Sequence, residues 1–374
     1  MRRPRRQRPS SATGGRRPRV TIAASGTGGH VVPAVAVAEA LRARGADVGF
    51  VVSRGRAGEG VAAAAGFPED TIPMRGIARR LTLRNVTALT GAAMAVPRAL
   101  RVLRRQRPDV VVTAGGYLAG PVAVAARLRR VPVVAMEADS HMGLANRLVA
   151  PLAGRMALAY PLAGRMGRKY VVTGRPVREA VRQATRTTGR RVFGIDPDAT
   201  VVLVFGGSQG ARTLNQAAVE AFGEDPPFDV IHVAGPGQLD ATAHALATRA
   251  PSSRYRLVGY LENLHDAVAA ADLVVSRAGG SVFELSAIGR ASILVPYPHA
   301  TADHQTQNAR WLVDAGAAVL LPDAECTGPR LRALVGALLS DRRRLDAMAE
   351  SARAVGRPEA ADEIAALVLQ QAGR

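Results

Sequence analysis

The 374-residue chain has little of several residue types: it has one cysteine, Cys326, one lysine, and only 4% aromatic residues. A single cysteine excludes an intrachain disulfide and a cysteine-based metal cluster, and it fits a reducing compartment. Because aromatics are scarce and hydrophobic residues make up 48%, the cores are expected to consist of Val, Leu, Ile and Ala. No run of about 18 apolar residues is free of charge, so no transmembrane helix is predicted.

The positive charge is large and unevenly distributed. The formal net charge is +20, and eight arginines lie within residues 1–19, which contain no acidic residue. This segment lacks the apolar stretch of a secretory signal. We expect residues 1–18 to form a disordered basic tail. The alternative is an electrostatic tether to an anionic membrane.

A strongly basic chain can also bind nucleic acid. Proteins that bind single strands place base-stacking aromatic side chains among their basic residues. The few aromatic residues form no such cluster with arginine. We therefore expect no nucleic acid among the partners.

Two domains are predicted, because the chain exceeds one ordinary α/β core and one pattern occurs twice. Near residues 20–45 and again near 200–222, an apolar strand runs into a glycine-rich turn and a helix. Alternating strands and helices predict α/β domains with parallel, doubly wound, Rossmann-like sheets. The predicted strands are 20–24, 47–53, 109–113, 131–136, 200–205, 229–233, 255–258, 273–276 and 292–295. The expected divisions are the tail over 1–18, an N-terminal domain over 19–173, a C-terminal domain over 174–345, and a helix over 346–374 that packs back on the N-terminal domain.

The first glycine-rich turn reads Gly26-Thr27-Gly28-Gly29-His30. Glycines after a strand let the backbone approach a ligand, and the following helix points free N–H groups at an anion. A histidine at a helix N-terminus is held neutral by the helix dipole, which suits a general base. The alternatives are a turn without a ligand and a histidine that only caps the helix.

The second turn, over residues 206–212, combines three glycines with Ser208, Gln209 and Arg212 at the start of a helix. This composition favours a pyrophosphate ligand. The Lys-Ser/Thr pair of a Walker motif is absent, and the spacing does not fit the dinucleotide fingerprint of a nicotinamide dehydrogenase. The alternative is a turn followed by a surface arginine.

The third segment, over residues 276–284, places Gly280, Ser281 and Glu284 after a strand. A carboxylate accepts hydrogen bonds from both hydroxyls of a ribose, so Glu284 is a candidate ribose ligand. A glutamate at a helix start also complements the helix dipole, which is the simpler explanation.

The fourth segment, over residues 298–308, is mostly polar and includes His299, Asp303, His304 and Gln305. A solvated loop is the simpler interpretation. A metal site is disfavoured, because the two histidines have no obvious third ligand. Sugar binding is the preferred functional interpretation.

These segments, together with Gly115-Gly116-Tyr117 and residues 174–178, resemble in content and order the MurG family of GT-B glycosyltransferases. The resemblance runs from about Arg19 to the C-terminus. It implies two Rossmann-like domains that face each other across a cleft. It also implies transfer of N-acetylglucosamine from UDP-N-acetylglucosamine to a polyprenyl-pyrophosphate glycolipid, N-acetylmuramyl-(pentapeptide) pyrophosphoryl-undecaprenol, with inversion.

The resemblance implies that the C-terminal domain holds the donor. Ser208 and neighbouring amides would bind the pyrophosphate, Glu284 the ribose, and the backbone of Leu261 the uracil, with Arg178 nearby. Gln305 and the backbone near Gly280 would contact the sugar. The expected donor-binding set is Thr27, Gly28, Gly29, Arg178, Ser208, Gln209, Leu261, Gly280, Ser281, Glu284 and Gln305.

The resemblance also implies an acceptor site in the N-terminal domain. It would comprise His30, Gly115, Gly116 and Tyr117, with His30 as the catalytic base. Asp139 stands where the family has asparagine, and we expect it either to pair with a sugar hydroxyl of the acceptor or to act as a second base. Glu137 and Asp139 complete the expected catalytic set. No metal and no other cofactor is expected, because a helix N-terminus, Ser208 and arginines can stabilise departing UDP.

One part of the resemblance concerns the membrane. The segment from Met74 to Arg105 mixes apolar residues with arginines, and in the family this region lies on the membrane. An anionic membrane surface is therefore an expected partner, with the protein cytoplasmic and peripheral on the inner face. The alternative is an ordinary pair of helices with arginines in solvent.

The chain departs from the family after the strand at 131–136. The family has His-Glu-Gln-Asn there, whereas this chain reads Met136-Glu137-Ala138-Asp139. An amide can donate to a sugar oxygen and a carboxylate can only accept. A related transferase with a different lipid or natural-product acceptor is therefore the alternative function.

Overall fold

A computed structural model describes residues 16–25, 28–56, 58–74, 83–207, 209–249, 252–300 and 303–373, without the side chains of 83–93. Its strands form two parallel sheets. The first has seven strands: β1 (Arg19–Ala24), β2 (Asp47–Ser53), β3 (Glu69–Ile72), β4 (Val110–Thr113), β5 (Val133–Glu137), β6 (Arg155–Leu158) and β7 (Tyr170–Val172). The second has six: β8 (Val201–Phe205), β9 (Asp229–Val233), β10 (Tyr255–Val258), β11 (Leu273–Ser276), β12 (Ala291–Leu294) and β13 (Ala318–Leu320).

Both sheets are doubly wound, as predicted. The strand orders are β3-β2-β1-β4-β5-β6-β7 and β10-β9-β8-β11-β12-β13. Winding reverses between β1 and β4 in one sheet and between β8 and β11 in the other. These topological switch points are where open α/β sheets bind ligands.

Helices cover both faces of each sheet, which explains why the strands are rich in Val and Ile rather than alternating with polar residues. β4 reads VVVT and β8 reads VVLVF, and every residue in both is buried. With the N-terminal sheet come α1 (Gly28–Ala43), α2 (Val61–Ala64), α3 (Leu83–Gln106), α4 (Ala119–Leu128) and α5 (Leu144–Val149). The helices that follow in the chain are α6 (Glu179–Gln183), α7 (Arg186–Phe193), α8 (Arg212–Phe222), α9 (Leu239–Ala247), α10 (Leu264–Ala270), α11 (Ser281–Ile288), α12 (His304–Asp314), α13 (Gly328–Ser340), α14 (Arg342–Val355) and α15 (Ala360–Ala372).

The C-terminal helical segment is divided in two. α14 ends at Val355, and residues Gly356 and Pro358 separate it from α15. α14 packs against α11 and β12 of the second sheet, whereas α15 packs against α1, β4 and β5 of the first. Ile364 and Val368 of α15 are buried in the core of the N-terminal domain. α15 thus completes the core to which β1 and α1 contribute.

The described residues include no helix with both the length and the hydropathy needed to cross a membrane.

The contribution of α15 can be measured at Ile364, which is 1% exposed. Truncation of a buried isoleucine costs about 2–5 kcal/mol through lost burial and a residual cavity. Ile364→Ala should therefore lower the free energy of unfolding of the N-terminal domain by that amount, measured by urea denaturation. Glu363→Ala, at the exposed neighbouring position, is the control and should leave it nearly unchanged. Equal stability of the two variants would contradict this packing.

Candidate active site

The carboxyl ends of the two sheets meet at a shared site. The loops after β1, β4 and β5 approach it from one sheet, and the loops after β8 and β11 approach it from the other. Two connections that span the domains, Ser140 to Gln307 and Tyr160 to Asn308, lie at this junction. The sequence predicted functional segments on all of these loops.

The loops after β1 and β4 are packed too closely for side chains at the predicted glycines. A Cβ atom on Gly116, whose φ is +76°, would lie 2.3 Å from the Ser25 carbonyl oxygen. The Ser25 hydroxyl accepts a hydrogen bond from the Leu118 N–H at 3.1 Å. A Cβ atom on Gly115 would lie 3.1 Å from Nδ1 of His30. The glycines therefore bring the β4 loop against the histidine ring.

His30 lies in the first turn of α1 and is partly buried. Its Nδ1 atom is buried. Burial lowers the pKa of His30 below its ordinary value; the negative charge of Asp139 opposes this effect and the positive charge of Arg175 adds to it. The backbone of Ala114 interacts with the ring and also raises the pKa of His30. A neutral imidazole near pH 7 is able to accept a proton, which is what the predicted base requires.

Glu137, at the end of β5, is 4% exposed and fully engaged with its own loop. Its carboxylate accepts hydrogen bonds from the backbone N–H groups of Asp139 (3.1 Å) and Gly143 (2.9 Å) and from Nδ2 of Asn146 (3.0 Å). Burial raises the pKa of Glu137, and these hydrogen bonds partly offset the effect. The contacts indicate that Glu137 shapes the loop, and its predicted catalytic role stays a prediction.

The rest of this loop faces the other domain. Asp139 is half-buried, and the Ser140 hydroxyl donates a hydrogen bond to Oε1 of Gln307 on α12. The segment that departs from the MurG pattern therefore contacts the C-terminal domain directly. The Ser140–Gln307 contact was not predicted from the sequence, because the two residues are 167 positions apart.

On the donor side, the loop after β11 is open at one glycine and covered at the next. A Cβ atom on Gly279 would meet no described atom within 4 Å, which leaves room for a ligand against the backbone. A Cβ atom on Gly280 would lie 2.8 Å from Nη2 of Arg175. The Ser281 hydroxyl lies 3.5 Å from the Arg277 carbonyl oxygen, at the start of α11.

Glu284, one turn further into α11, lies deep in the cleft but keeps a partly accessible surface. Burial raises the pKa of Glu284 to about 7, and the positive charges of Arg175 and Arg178 oppose that effect. A recessed carboxyl group with two nearby cations fits the predicted ribose ligand.

The other predicted donor residues are spread around this loop. Oε1 of Gln305 accepts a hydrogen bond from the Tyr297 N–H at 2.9 Å, so its side chain is held beside the loop after β12. Leu261 packs on the core of the C-terminal domain. Gln209 is exposed. Thr27 and Ser208 lie outside the described residues.

Arg178, which the sequence places near the donor base, is paired across the domains. Its guanidinium donates to Oε1 of Glu39 on α1 at 2.8 Å. Its charge nevertheless acts on Glu284.

Tyr160, which follows β6, joins the two domains at the site. Its ring lies 5.2 Å from the Phe283 ring and 5.7 Å from the Trp311 ring, measured between centroids. Its hydroxyl donates to Oδ1 of Asn308 at 2.8 Å, and Nδ2 of Asn308 donates to the Ala278 carbonyl at 3.1 Å. A residue of the N-terminal half thus holds the loop after β11. Sequence reasoning missed Tyr160, because it lies in no motif.

Within the described residues, no group of three His, Cys, Asp or Glu side chains is arranged to hold a metal ion.

Two family models match the chain. The glycosyltransferase family 28 N-terminal domain matches residues 20–158, and the glycosyltransferase family 28 C-terminal domain matches residues 201–364. Together these ranges cover β1 to β6 of the first sheet and all six strands of the second.

Full-length relatives are similar to the chain. It is 40% identical over 370 residues to the UDP-N-acetylglucosamine--N-acetylmuramyl-(pentapeptide) pyrophosphoryl-undecaprenol N-acetylglucosamine transferase of Desulforudis audaxviator, covering 95% of this chain and 99% of the relative. It is 42% identical over 359 residues to the transferase of the same name from Halorhodospira halophila, covering 93% and 97%.

A solved structure has the same architecture. The crystal structure of Acinetobacter baumannii MurG is 29% identical, covers 95% of this chain and 100% of its own, and has a TM-score of 0.75. With both domains matched in order and full-length relatives at this identity, the chain belongs to glycosyltransferase family 28 and has the two-domain fold of MurG.

Proposed function

We propose that this protein is the hexosyltransferase that moves N-acetylglucosamine from UDP-N-acetylglucosamine to N-acetylmuramyl-(pentapeptide) pyrophosphoryl-undecaprenol in peptidoglycan synthesis. The full-length relatives carry this activity in their names. The observation that carries the proposal is the junction of the two sheets, which brings His30 and Glu284 to a common site. A donor on one sheet and an acceptor on the other would meet there.

The donor is bound by the C-terminal domain. Gly279 leaves the backbone after β11 open to a ligand. The Glu284 carboxylate accepts hydrogen bonds from the ribose hydroxyls, and Gln305 and the Gly280 backbone contact the sugar. Ser208 and the N-terminus of α8 bind the pyrophosphate, whose negative charge suits a helix N-terminus.

The acceptor is bound by the N-terminal domain, beside His30 and the loop Gly115–Tyr117. Transfer is a single displacement. The acceptor 4-hydroxyl oxygen bonds to the anomeric carbon, His30 takes the hydroxyl proton, and the bond to the phosphate oxygen breaks with its electron pair leaving on UDP. Attack opposite the leaving group inverts the configuration and gives a β-1,4 link. Transfer proceeds without a metal, because amides and arginines stabilise the departing diphosphate.

A different acceptor is the second candidate, favoured by the loop after β5. Met136, at the position where MurG has histidine, is buried in the N-terminal core, and Ser140 of the same loop contacts Gln307. The test is UDP release from purified protein with UDP-N-acetylglucosamine, with and without a short-chain lipid acceptor of the proposed structure. Acceptor-dependent release supports the cell-wall function. Donor binding without acceptor-dependent release would contradict it and favour another acceptor.

A peripheral position on the cytoplasmic face of the membrane completes the proposal. Residues 75–82 of the segment predicted to touch the membrane lie outside the described residues, but α4 and α5 pack together beside α3. These two helices expose four apolar residues, here called the α4–α5 patch: Val124, Leu128, Leu144 and Leu148. Exposed Arg127, Arg129 and Arg147 border it. Apolar residues ringed by arginines suit an anionic lipid surface.

His30→Ala should lower the turnover number by about 10²–10⁴-fold, the usual contribution of a general base. In the wild-type protein the rate should fall only below about pH 6.5, because the base works in its neutral form and its pKa is lowered from the ordinary value. Both effects are read from acceptor-dependent UDP release. His244→Ala, at an exposed position on α9, is the control. Turnover by His30→Ala at the rate of the control would remove His30 from the base role.

Glu284→Gln should weaken UDP binding about 10-fold or more, since a hydrogen bond to a charged group contributes roughly 1.5–3 kcal/mol. With a pKa of about 7 in the empty site, Glu284 gains its charge as pH rises, so wild-type affinity should increase between pH 6 and pH 8. Calorimetry measures both. The variant should lose this pH dependence, and exposed Glu325→Gln should retain it. Identical affinities for the Glu284 and Glu325 variants would contradict ribose binding.

Leu144→Asp combined with Leu148→Asp should reduce binding to anionic vesicles by at least about 10-fold, since each buried leucine side chain contributes roughly 1.5–3 kcal/mol. Vesicle sedimentation measures the loss. Val192→Asp, at an exposed apolar position on α7, is the control. Undiminished binding of the double variant would exclude the α4–α5 patch as the membrane surface.

A further inference from the structure

Arg175 lies in the connection between the two sheets, just after β7, and is only 9% exposed. Its Nη2 donates a hydrogen bond to the Gly29 carbonyl at 2.6 Å, and its Nη1 donates to the Ala138 carbonyl at 3.2 Å. The same Nη2 lies 2.8 Å from the position of a Cβ atom on Gly280. One guanidinium therefore touches the loops after β1, β5 and β11.

The charge of Arg175 is not neutralised by a close partner. No carboxylate in the described part of the chain lies within 4.0 Å of it, although Asp139 and Glu284 act on it from further away. A buried cation without an ion pair is costly, and arginine does not lose its proton. Its carbonyl contacts and the Phe283 ring, 5.8 Å from its central carbon, are what hold it in place.

We propose that Arg175 is a positioning residue for sugar transfer: it holds the acceptor-side backbone at Gly29 and Ala138 in register with the donor-side backbone at Gly280. Burial is the main cause of the lowered pKa of His30, and the positive charge of Arg175 adds to it. The guanidinium has the planar, forked geometry needed to donate to two carbonyls at once. The residue acts through the loops and does not bind substrate. This inference rests on the proposed function.

The charge effect has a defined sign. Among the described residues, the charged groups that act on His30 are Asp139, which raises its pKa, and Arg175, which lowers it. Removal of the cation leaves burial as the main effect that still lowers the pKa of His30 against Asp139, so this pKa is expected to rise. A lysine at this position retains the charge but has one nitrogen, which cannot span both carbonyls.

The experiment compares Arg175→Ala and Arg175→Lys with the wild-type protein. It measures turnover, UDP affinity at pH 8, and the pKa of His30 by NMR of histidine-labelled protein, with the His30 signal assigned from its absence in His30→Gln. Arg182→Ala is the control, because Arg182 also bridges the domains, through Glu359 and Asp362, but away from the site. Circular dichroism confirms that each variant is folded.

We expect Arg175→Ala to lose at least about 100-fold in turnover, to keep UDP affinity within about threefold, and to show a raised pKa at His30. Arg175→Lys should restore the pKa but not the turnover, and Arg182→Ala should match the wild-type protein in all three. A loss of UDP affinity that matches the loss of turnover would overturn the inference in favour of direct donor binding. An unchanged pKa or unchanged turnover in Arg175→Ala would also overturn it. If the proposed function is wrong, the wild-type protein will show no acceptor-dependent UDP release. The pKa of His30 measured by NMR still tests the effect of Arg175 in that case.

Discussion

The burial of Tyr160 between the domains is the interaction on which the site depends. Two parallel sheets can each place loops at their carboxyl ends, but nothing in either sheet fixes where the other lies. Tyr160 packs against Phe283 and Trp311, and its hydroxyl reaches Ala278 through Asn308. Because an unpaired buried hydroxyl is costly, this arrangement specifies one orientation of the N-terminal loops against the loop after β11.

The electrostatics of the junction follow from that burial. Burial lowers the pKa of His30 and raises those of Glu137 and Glu284, so each group moves toward its neutral form. Arg175 is the cation that remains charged among them. Its positive charge opposes the effect of burial on the pKa of Glu284 and adds to the effect of burial on the pKa of His30. A neutral histidine and an ionisable carboxyl group therefore lie at the same junction, and the charge of Arg175 acts on the pKa of both.

Much of the fold was predictable, because the hydrophobic runs bounded by turn residues form β-strands in the structure. The strands at 47–53, 229–233, 255–258 and 273–276 were predicted at the bounds that the structure has for β2, β9, β10 and β11. β3 was missed because Glu69, Asp70 and Thr71 are polar and the strand lies at a sheet edge, where a polar strand is tolerated. β7 and β13 have three residues each, too few to show a periodicity.

The candidate site was predictable where the backbone conformation or a close contact requires glycine, because such glycines are visible in the sequence. Glycines at 115, 116 and 280 mark close approaches that favour a residue without a side chain, whereas Gly279 leaves the backbone open. The roles of Tyr160 and Arg175 were not predictable in this way, because their partners are distant in the chain. Tyr160 and Asn308 are 148 residues apart, and Arg175 and Gly29 are 146 residues apart. The C-terminal helix was expected to return to the N-terminal domain, but its division at Gly356 and Pro358 requires knowledge of which sheet each half covers.

The central claim is that donor and acceptor meet between the two sheets, with His30 removing the proton as UDP departs from the opposite side. The linkage in the product tests this most directly. Product formed from UDP-N-acetylglucosamine and the short-chain lipid acceptor would be analysed by NMR for anomeric configuration and point of attachment. A β link to the 4-hydroxyl is predicted, since one displacement inverts the anomeric carbon. An α link, or attachment at another hydroxyl, would contradict it.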